Sequence, residues 1–331
     1  MKICLLSDYA GRIDEGMRST AFHLDRELSQ RHQVLHLGLS LRDLLSRKFW
    51  KKLRDFQPQL IHYVPGPSIK SFILLRILKL CCRYSRTVMS ATHPGLALLS
   101  RRLVPLFRPD LILTQSEDSE RMFSRLGCQV EFLPSGVDTQ KFTPVSGETK
   151  YQLRRKYGID AGKFVVLHIG PMRRDRNIQS LIKLNQEEDT QIIVVGSTSL
   201  PVHQDTYQSL KEGGCLVWRD YFENVEEIYG LSDCYIFPTL DRLNCIEFPL
   251  SVMEAMSCNL PVLTTRFGAL PRVFDEGAGV VFVDNENDFP PALKKIKQGT
   301  EEIKTRDKVL AYSWQNVALK LEKIYNYLCQ G

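Results

Sequence analysis

Hydrophobic positions along this 331-residue chain fall into short runs separated by longer amphipathic stretches. In the first half, Lys2–Ser7, Gln33–Gly38, Leu60–Val64, Thr87–Ala91, Asp110–Gln115 and Gln129–Leu133 read as strands bounded by turn formers. Helical segments fill the gaps. Strand–helix–strand alternation predicts a parallel sheet covered on both faces, because parallel strands need a crossover and helices supply it. The run Leu133-Pro134-Ser135-Gly136-Val137-Asp138, followed by Pro144, Ser146 and Gly147, breaks the pattern and reads as a linker. Strands resume at Phe164–Ile169, Gln191–Val195, Cys234–Pro238, Pro261–Thr264 and Gly279–Val283. From Ser313 to Gln330, apolar Val317, Leu321, Ile324, Tyr325 and Leu328 predict one final helix. The expected fold class is therefore α/β, with two Rossmann-like, doubly wound parallel-sheet domains facing each other across a cleft. Ligands of such sheets sit at the carboxyl ends of the strands.

Composition narrows the classes. With 43% hydrophobic and 25% charged residues the chain is ordinary globular protein, and at this length two domains are expected. The expected division is 1–143 and 144–312, with a C-terminal helix over about 313–331. The longest apolar run, Phe72–Cys82, is interrupted by Arg76 and Lys79 and is too short to span a bilayer. An acid at Asp8 ends the first apolar run too soon for a signal peptide, so a cytoplasmic location is expected. The nine cysteines are odd in number and lack zinc-ligand spacing, which reads as buried free thiols in a reducing compartment. Lys and Arg exceed Asp and Glu by 22 to 13 in residues 1–143. A basic half suits nucleic acid, anionic lipid or a phosphorylated acceptor. No nucleic-acid-binding motif accompanies it, and the charge is dispersed, so nucleic acid is not expected.

Four segments carry candidate chemistry. Ser7–Gly16 follows the first strand and opens a helix, where Gly16 lets backbone N–H groups approach an anion; a plain turn reads equally well. There is no GxGxxG, which disfavours a dehydrogenase. Ile169-Gly170-Pro171-Met172-Arg173-Arg174-Asp175-Arg176-Asn177 follows a strand, and its three arginines suit a pyrophosphate, since guanidinium binds phosphate bidentately. The alternative is a solvated basic turn. Asn244–Met256 runs from a loop into a helix and carries Glu247 and Glu254. These carboxylates either accept hydrogen bonds from sugar hydroxyls, or Glu247 complements the helix dipole and Glu254 is a surface charge. His93 lies in a loop at a strand's carboxyl end, with His62 as a second candidate and a structural role open for both. Finally, Leu45, Phe49, Leu53 and Phe56 line one face of a predicted Leu41–Phe56 helix opposite Arg47, Lys51 and Arg54. That face suits a crossover helix packed on the sheet, while its basic side suits an anionic membrane surface.

Together these motifs resemble glycosyltransferase family 4, retaining nucleotide-sugar enzymes of the GT-B fold. Leu133-Pro134-Ser135-Gly136-Val137-Asp138-Thr139-Gln140-Lys141-Phe142-Thr143-Pro144 resembles that family's interdomain signature, and Glu254–Val262 its donor-site helix and following strand. Tyr229–Pro238 is similar to the segment before that site, and Ser313-Trp314 to the family's ending. The resemblance implies that the last helix packs back on the first domain. It implies a nucleoside diphosphate sugar donor in the second domain, held by Gly170, Arg173, Arg174, Arg176, Phe248, Pro249, Leu250, Ser251 and Glu254, with Glu254 on the ribose. Gly16 would close over the phosphates and His93 would sit beside the reacting sugar and the acceptor; the place of the family's first glutamate holds Ile246, so either Glu247 restores that carboxylate by a local shift or the sugar-contacting acid is lost. The usual Gly-Arg reads Gly170-Pro171. The implied catalytic set is His93, Glu247, Arg173 and Arg176. No cofactor or metal is expected. The expected acceptor is a lipid-linked or cell-envelope glycan, with peripheral contact between the basic first half and anionic membrane. A catalytically weak nucleotide-sugar-binding partner or regulator of the same fold is the alternative.

Overall fold

The protein is described by a computed structural model covering residues 1–8, 15–94, 96–241, 245–299 and 301–330, apart from the side chains at 98 and 99. It divides into two compact units. The first comprises the chain up to Gly136 together with 245–248 and 314–330; the second comprises 137–241 and 249–313.

In the first unit, β1 (Lys2–Leu6), β2 (Gln33–Leu37), β3 (Leu60–Gly66), β4 (Arg86–Ala91), β5 (Leu111–Thr114) and β6 (Val130–Phe132) form a parallel sheet ordered β2-β1-β3-β4-β5-β6. Ile3, Cys4, Leu5 and Leu6 of β1 are all fully buried, as a strand covered on both faces requires. The chain steps one way from β1 to β2 and then the other way from β3 to β6. Right-handed crossovers therefore put the helices after β1 on one face and those after β2 to β5 on the other. On the latter face Phe49, Leu53, Phe72, Leu75, Val104 and Phe123 share one core cluster. On the former, the Gly16–Ser29 helix packs against the C-terminal Trp314–Gln330 helix.

That return of the chain is seated at Gly136, where an added Cβ would stand 2.5 Å from the Trp314 ring, so the small residue is what admits the indole. His23 stacks on the same indole, ring centroids 4.9 Å apart.

In the second unit, β7 (Phe164–Ile169), β8 (Thr190–Val195), β9 (Leu216–Trp218), β10 (Cys234–Phe237), β11 (Val262–Thr265) and β12 (Val280–Val283) form a parallel sheet ordered β12-β11-β10-β7-β8-β9. β9 is the strand absent from the sequence reading: three partly buried residues at a sheet edge are too few to register as a period. Both sheets reverse direction once, between β1 and β3 and between β7 and β10.

Two expectations are corrected. The Leu41–Phe56 segment is two helices, Leu41–Leu45 and Arg47–Phe56, because Ser46 takes a β conformation and accepts from the Lys48 N–H at 3.1 Å as an N-cap. Phe49 and Leu53 are core, while Leu45 is 77% exposed. His62 is structural: it is fully buried in β3, within hydrogen-bond distance of Tyr325 Oη (2.6 Å) and Ser90 Oγ (2.8 Å). Burial pushes its pKa down to about 3, so it is neutral.

Candidate functional site

The switch point of the second sheet lies between the carboxyl ends of β7 and β10, where doubly wound sheets open a crevice. The turn Gly170–Asn177 leaves β7 there. His168, one residue before the end of β7, is 1% exposed and donates from Nδ1 to the Ile236 carbonyl of β10 at 3.0 Å. Burial pushes its pKa down to about 4, and the neighbouring Arg176 charge acts in the same direction. The ring is neutral, so Nε2 is an acceptor. It has no hydrogen-bond partner among the described residues, and a Cβ on Gly170 would stand 3.1 Å from it.

The three arginines of this turn differ sharply in placement. Arg173 donates from Nε and Nη2 to the two Asp175 carboxylate oxygens at 3.1 and 2.7 Å, which orients the guanidinium and leaves its remaining N–H groups for another ligand. Arg174 is 69% exposed and ion-paired with Asp205, away from the turn's inner side. Arg176 is buried, 8% exposed. Asn177 adopts a left-handed conformation, φ 54°, and ties the turn to β10 by donating to the Pro238 carbonyl at 3.3 Å.

Glu254 sits in the Leu250–Ser257 helix that follows β10, and is partly exposed. Its Oε2 accepts from the Tyr229 hydroxyl at 2.6 Å. Desolvation by burial raises the carboxyl pKa, and the tyrosine hydrogen bond offsets part of that. One turn earlier, Ser251 Oγ accepts from the Tyr235 hydroxyl at 2.7 Å, and that hydroxyl also lies 3.3 Å from the Ile169 carbonyl at the end of β7. Two tyrosines with no exposed surface thus hold the helix, Tyr235 against β10 and the end of β7 and Tyr229 against the Val225–Gly230 helix. The sequence reading passed over both: Tyr229 stood inside a matched motif and Tyr235 inside a strand. For Tyr235 the signal is a hydroxyl-bearing ring inside the apolar run Cys234–Phe237, while Tyr229 follows Glu226 and Glu227 and carries no such mark. Pro249 and Leu250, which open the helix, are buried in the same unit.

Glu247, Phe248, His93 and Gly16 fall in the first unit. Glu247 is 1% exposed and accepts from Ser116 Oγ at 2.5 Å, while its backbone N–H donates to the Thr92 carbonyl at 2.8 Å. Ser116 is the N-cap of the Glu117–Arg125 helix, so the carboxylate lies at that helix's positive end. The Thr92 contact fixes the backbone one residue before His93, which is partly exposed. Phe248 has no exposed surface and is core. Gly16 is the first residue of its helix, and its missing Cβ makes room for Ile246, whose Cδ1 would be 2.8 Å away. The Met17 and Arg18 N–H groups at that helix start donate to the Glu15 carboxylate at 3.2 and 3.1 Å. Most of the Ser7–Gly16 loop, and Asn244, lie outside the described residues. Among the described residues no group of three or more His, Cys, Asp or Glu side chains is placed to hold a metal ion.

Comparison with known proteins places this geometry in context. Residues 163–298 match a family model described as "Glycosyl transferases group 1", a span that holds β7 to β12, the arginine turn and Glu254. A D-inositol 3-phosphate glycosyltransferase of Corynebacterium jeikeium is 26% identical over 61% of this chain and 52% of its own length. An alpha-galactosylglucosyldiacylglycerol synthase of Streptococcus pneumoniae is 26% identical over 41% of this chain and 37% of its own. The chain thus spans about half, or less, of these relatives. Among solved structures, Anabaena HepE in complex with UDP matches with a TM-score of 0.78 at 15% identity, over 99% of this chain and 100% of that one. The sucrose-phosphate synthase of Thermosynechococcus elongatus matches with a TM-score of 0.77 at 17% identity, over 99% and 98%. These likenesses establish the fold: two Rossmann-like domains of the GT-B type.

Proposed function

We propose that this chain, whose residues 163–298 match the glycosyl transferases group 1 model, is a retaining glycosyltransferase that moves a sugar from a nucleoside diphosphate sugar to an acceptor. The observation that carries this reading is that the family-matched segment puts the Gly170–Asn177 turn at the switch point of its sheet, while Tyr235 links the Ser251 hydroxyl of the Glu254 helix to the end of β7.

The chemistry follows from those groups. Breaking the glycosidic bond of the donor leaves negative charge on the departing diphosphate. Arg176, held buried, and the free N–H groups of Arg173, pre-oriented by Asp175, stabilise that charge as it builds. Gly170 presents backbone without a side chain beside the leaving group, and Ser251 and Glu254 accept from hydroxyls of the nucleoside. His93 orients the acceptor. Glu247, whose Oε1 accepts from Ser116, acts on the reaction by holding the Thr92–His93 backbone, so it is a positioning residue.

For the acceptor we favour a lipid-linked or cell-envelope glycan, met by a peripheral protein. The names of two relatives, a diacylglycerol glycolipid synthase and a GDP-mannose-dependent phosphatidylinositol mannoside mannosyltransferase, support a lipid acceptor, and so does the basic first half.

The test is turnover. Purified protein is incubated with UDP-, GDP- and ADP-sugars and a membrane lipid extract, and labelled product is followed. Transfer from one donor supports the proposal. Saturable donor binding with neither transfer nor donor hydrolysis supports instead the catalytically weak binding partner.

A further inference from the structure

The Ile69–Cys81 helix has two apolar faces, and the sheet uses only one. Ser71, Phe72, Leu75 and Leu78 are buried against β3 and β4. At 3.6 residues per turn, Ile73, Ile77 and Leu80 form a second stripe on the opposite side, and Tyr84 is exposed just past the helix end. Their exposures are 39%, 44%, 59% and 101%. An ordinary surface helix puts polar residues there. The exposed large apolar side chains of the second unit, such as Tyr151, Tyr221 and Leu240, form no such helical stripe.

Charge gives this stripe its direction. Between Asp55 and Asp110 the sequence contains no Asp or Glu and eight Lys or Arg. Lys79 and Arg86 are used internally, on Asp110 at 2.9 and 3.8 Å. Lys70, Arg76 and Arg83 are exposed and make no ion pair among the described residues. On the helical wheel Lys70 and Arg76 flank the apolar stripe on its two sides. The segment after β4 adds Leu103 and Leu106, 43% and 67% exposed, on the same side of the sheet, since Val104 belongs to the same core cluster as Phe72.

We propose that this face, Ile73, Ile77, Leu80 and Tyr84 rimmed by Lys70, Arg76 and Arg83, docks the protein on an anionic phospholipid bilayer. An exposed apolar stripe on one helix face suits insertion among headgroups, and its flanking cations complement lipid phosphate. A second copy seated on it would bring like charges together. The biological use of this surface rests on the lipid-acceptor reading above, but vesicle binding is measured without donor or acceptor.

The full chain is cosedimented with phosphatidylcholine vesicles and with phosphatidylcholine–phosphatidylglycerol vesicles, at low and high salt. Two variants change exposed side chains only: Ile77→Ser/Leu80→Ser and Arg76→Gln/Arg83→Gln. Wild type is expected to bind the anionic vesicles preferentially and to lose binding with salt. The serine pair is expected to lower partitioning at least tenfold. The glutamine pair should lower it roughly 25-fold on anionic vesicles, at about fivefold per charge. The nucleoside diphosphate thermal shift of both variants should match wild type, so a failed donor reading and a failed docking reading give different results. Absence of vesicle binding by wild type, or variants that bind as wild type does, overturns the proposal. So does a self-association of wild type that both variants abolish, because the face then serves a second copy.

Discussion

The hydroxyl of Tyr229, a residue with no exposed surface, donates to Glu254 Oε2 at 2.6 Å. This contact bears on both the direction and the pKa of the carboxylate proposed to hold the donor nucleoside. It orients one oxygen inward, and it lowers a carboxyl pKa that burial raises.

Tyr229→Phe keeps the ring and removes that donor. Leaving the buried oxygen unsatisfied costs roughly 1–3 kcal/mol. The account predicts a several-fold weaker nucleoside diphosphate affinity. It also predicts a shifted pH profile: with the offsetting hydrogen bond gone, the Glu254 pKa rises further, so affinity declines at a higher pH as the solution is acidified. Titration calorimetry across pH 5 to 8 reads both. A packing role alone for Tyr229 leaves the profile where it was.

Ser116 and Glu247 are 131 positions apart in sequence and share a 2.5 Å hydrogen bond. Ser116→Ala removes both this bond and the cap that accepts from the Ser119 N–H at 3.2 Å. Loss of a bond to a charged group, about 1.5–3 kcal/mol, adds to a cap loss of about 1 kcal/mol. Glu247→Gln keeps an acceptor oxygen and is predicted to cost less than Ser116→Ala. Urea unfolding midpoints rank the two; the reverse order contradicts the assignment.

His62 and His168 are buried and neutral, with pKa values pushed down to about 3 and about 4 from 6.5. The unfolded chain takes up their protons near pH 6.5 while the native one does not. The stability they contribute is therefore complete above about pH 6.5 and is lost as pH falls toward 4. Each adds a slope of up to about 1.4 kcal/mol per pH unit within that window. His168→Asn is predicted to be less stable at pH 7.5 but flatter in its pH dependence between pH 6 and 4.5. Unfolding midpoints measured over that range check the slope, and parallel curves for variant and wild type refute it.

Much of the fold is legible in the sequence because buried parallel strands are apolar on both faces. β1, β7 and β10 stand out as runs such as Ile3–Leu6 and Phe164–Ile169 without any alignment. What stays hidden is set by contacts remote in sequence or too short to show a period. β9 has three residues, and Ser46 reads as one polar position in a helix until its backbone is seen to cap the next one. At the site, Glu254 and the arginine turn are readable as chemistry, but their partners are not. No local pattern pairs Tyr229 with Glu254 or hands the Glu247 carboxylate to Ser116. The same holds for Arg173 and Arg174, identical in type and adjacent in sequence, of which Asp175 orients one and Asp205 draws off the other.

The central claim is that the second unit binds a nucleoside diphosphate through Glu254. Its most direct test is calorimetric titration of UDP, GDP and ADP into wild type and Glu254→Ala. The account predicts saturable binding of one of them by wild type, weakened at least tenfold in the variant, a loss of about 1.4 kcal/mol or more. Binding of none by wild type, or equal binding by the variant, would contradict it.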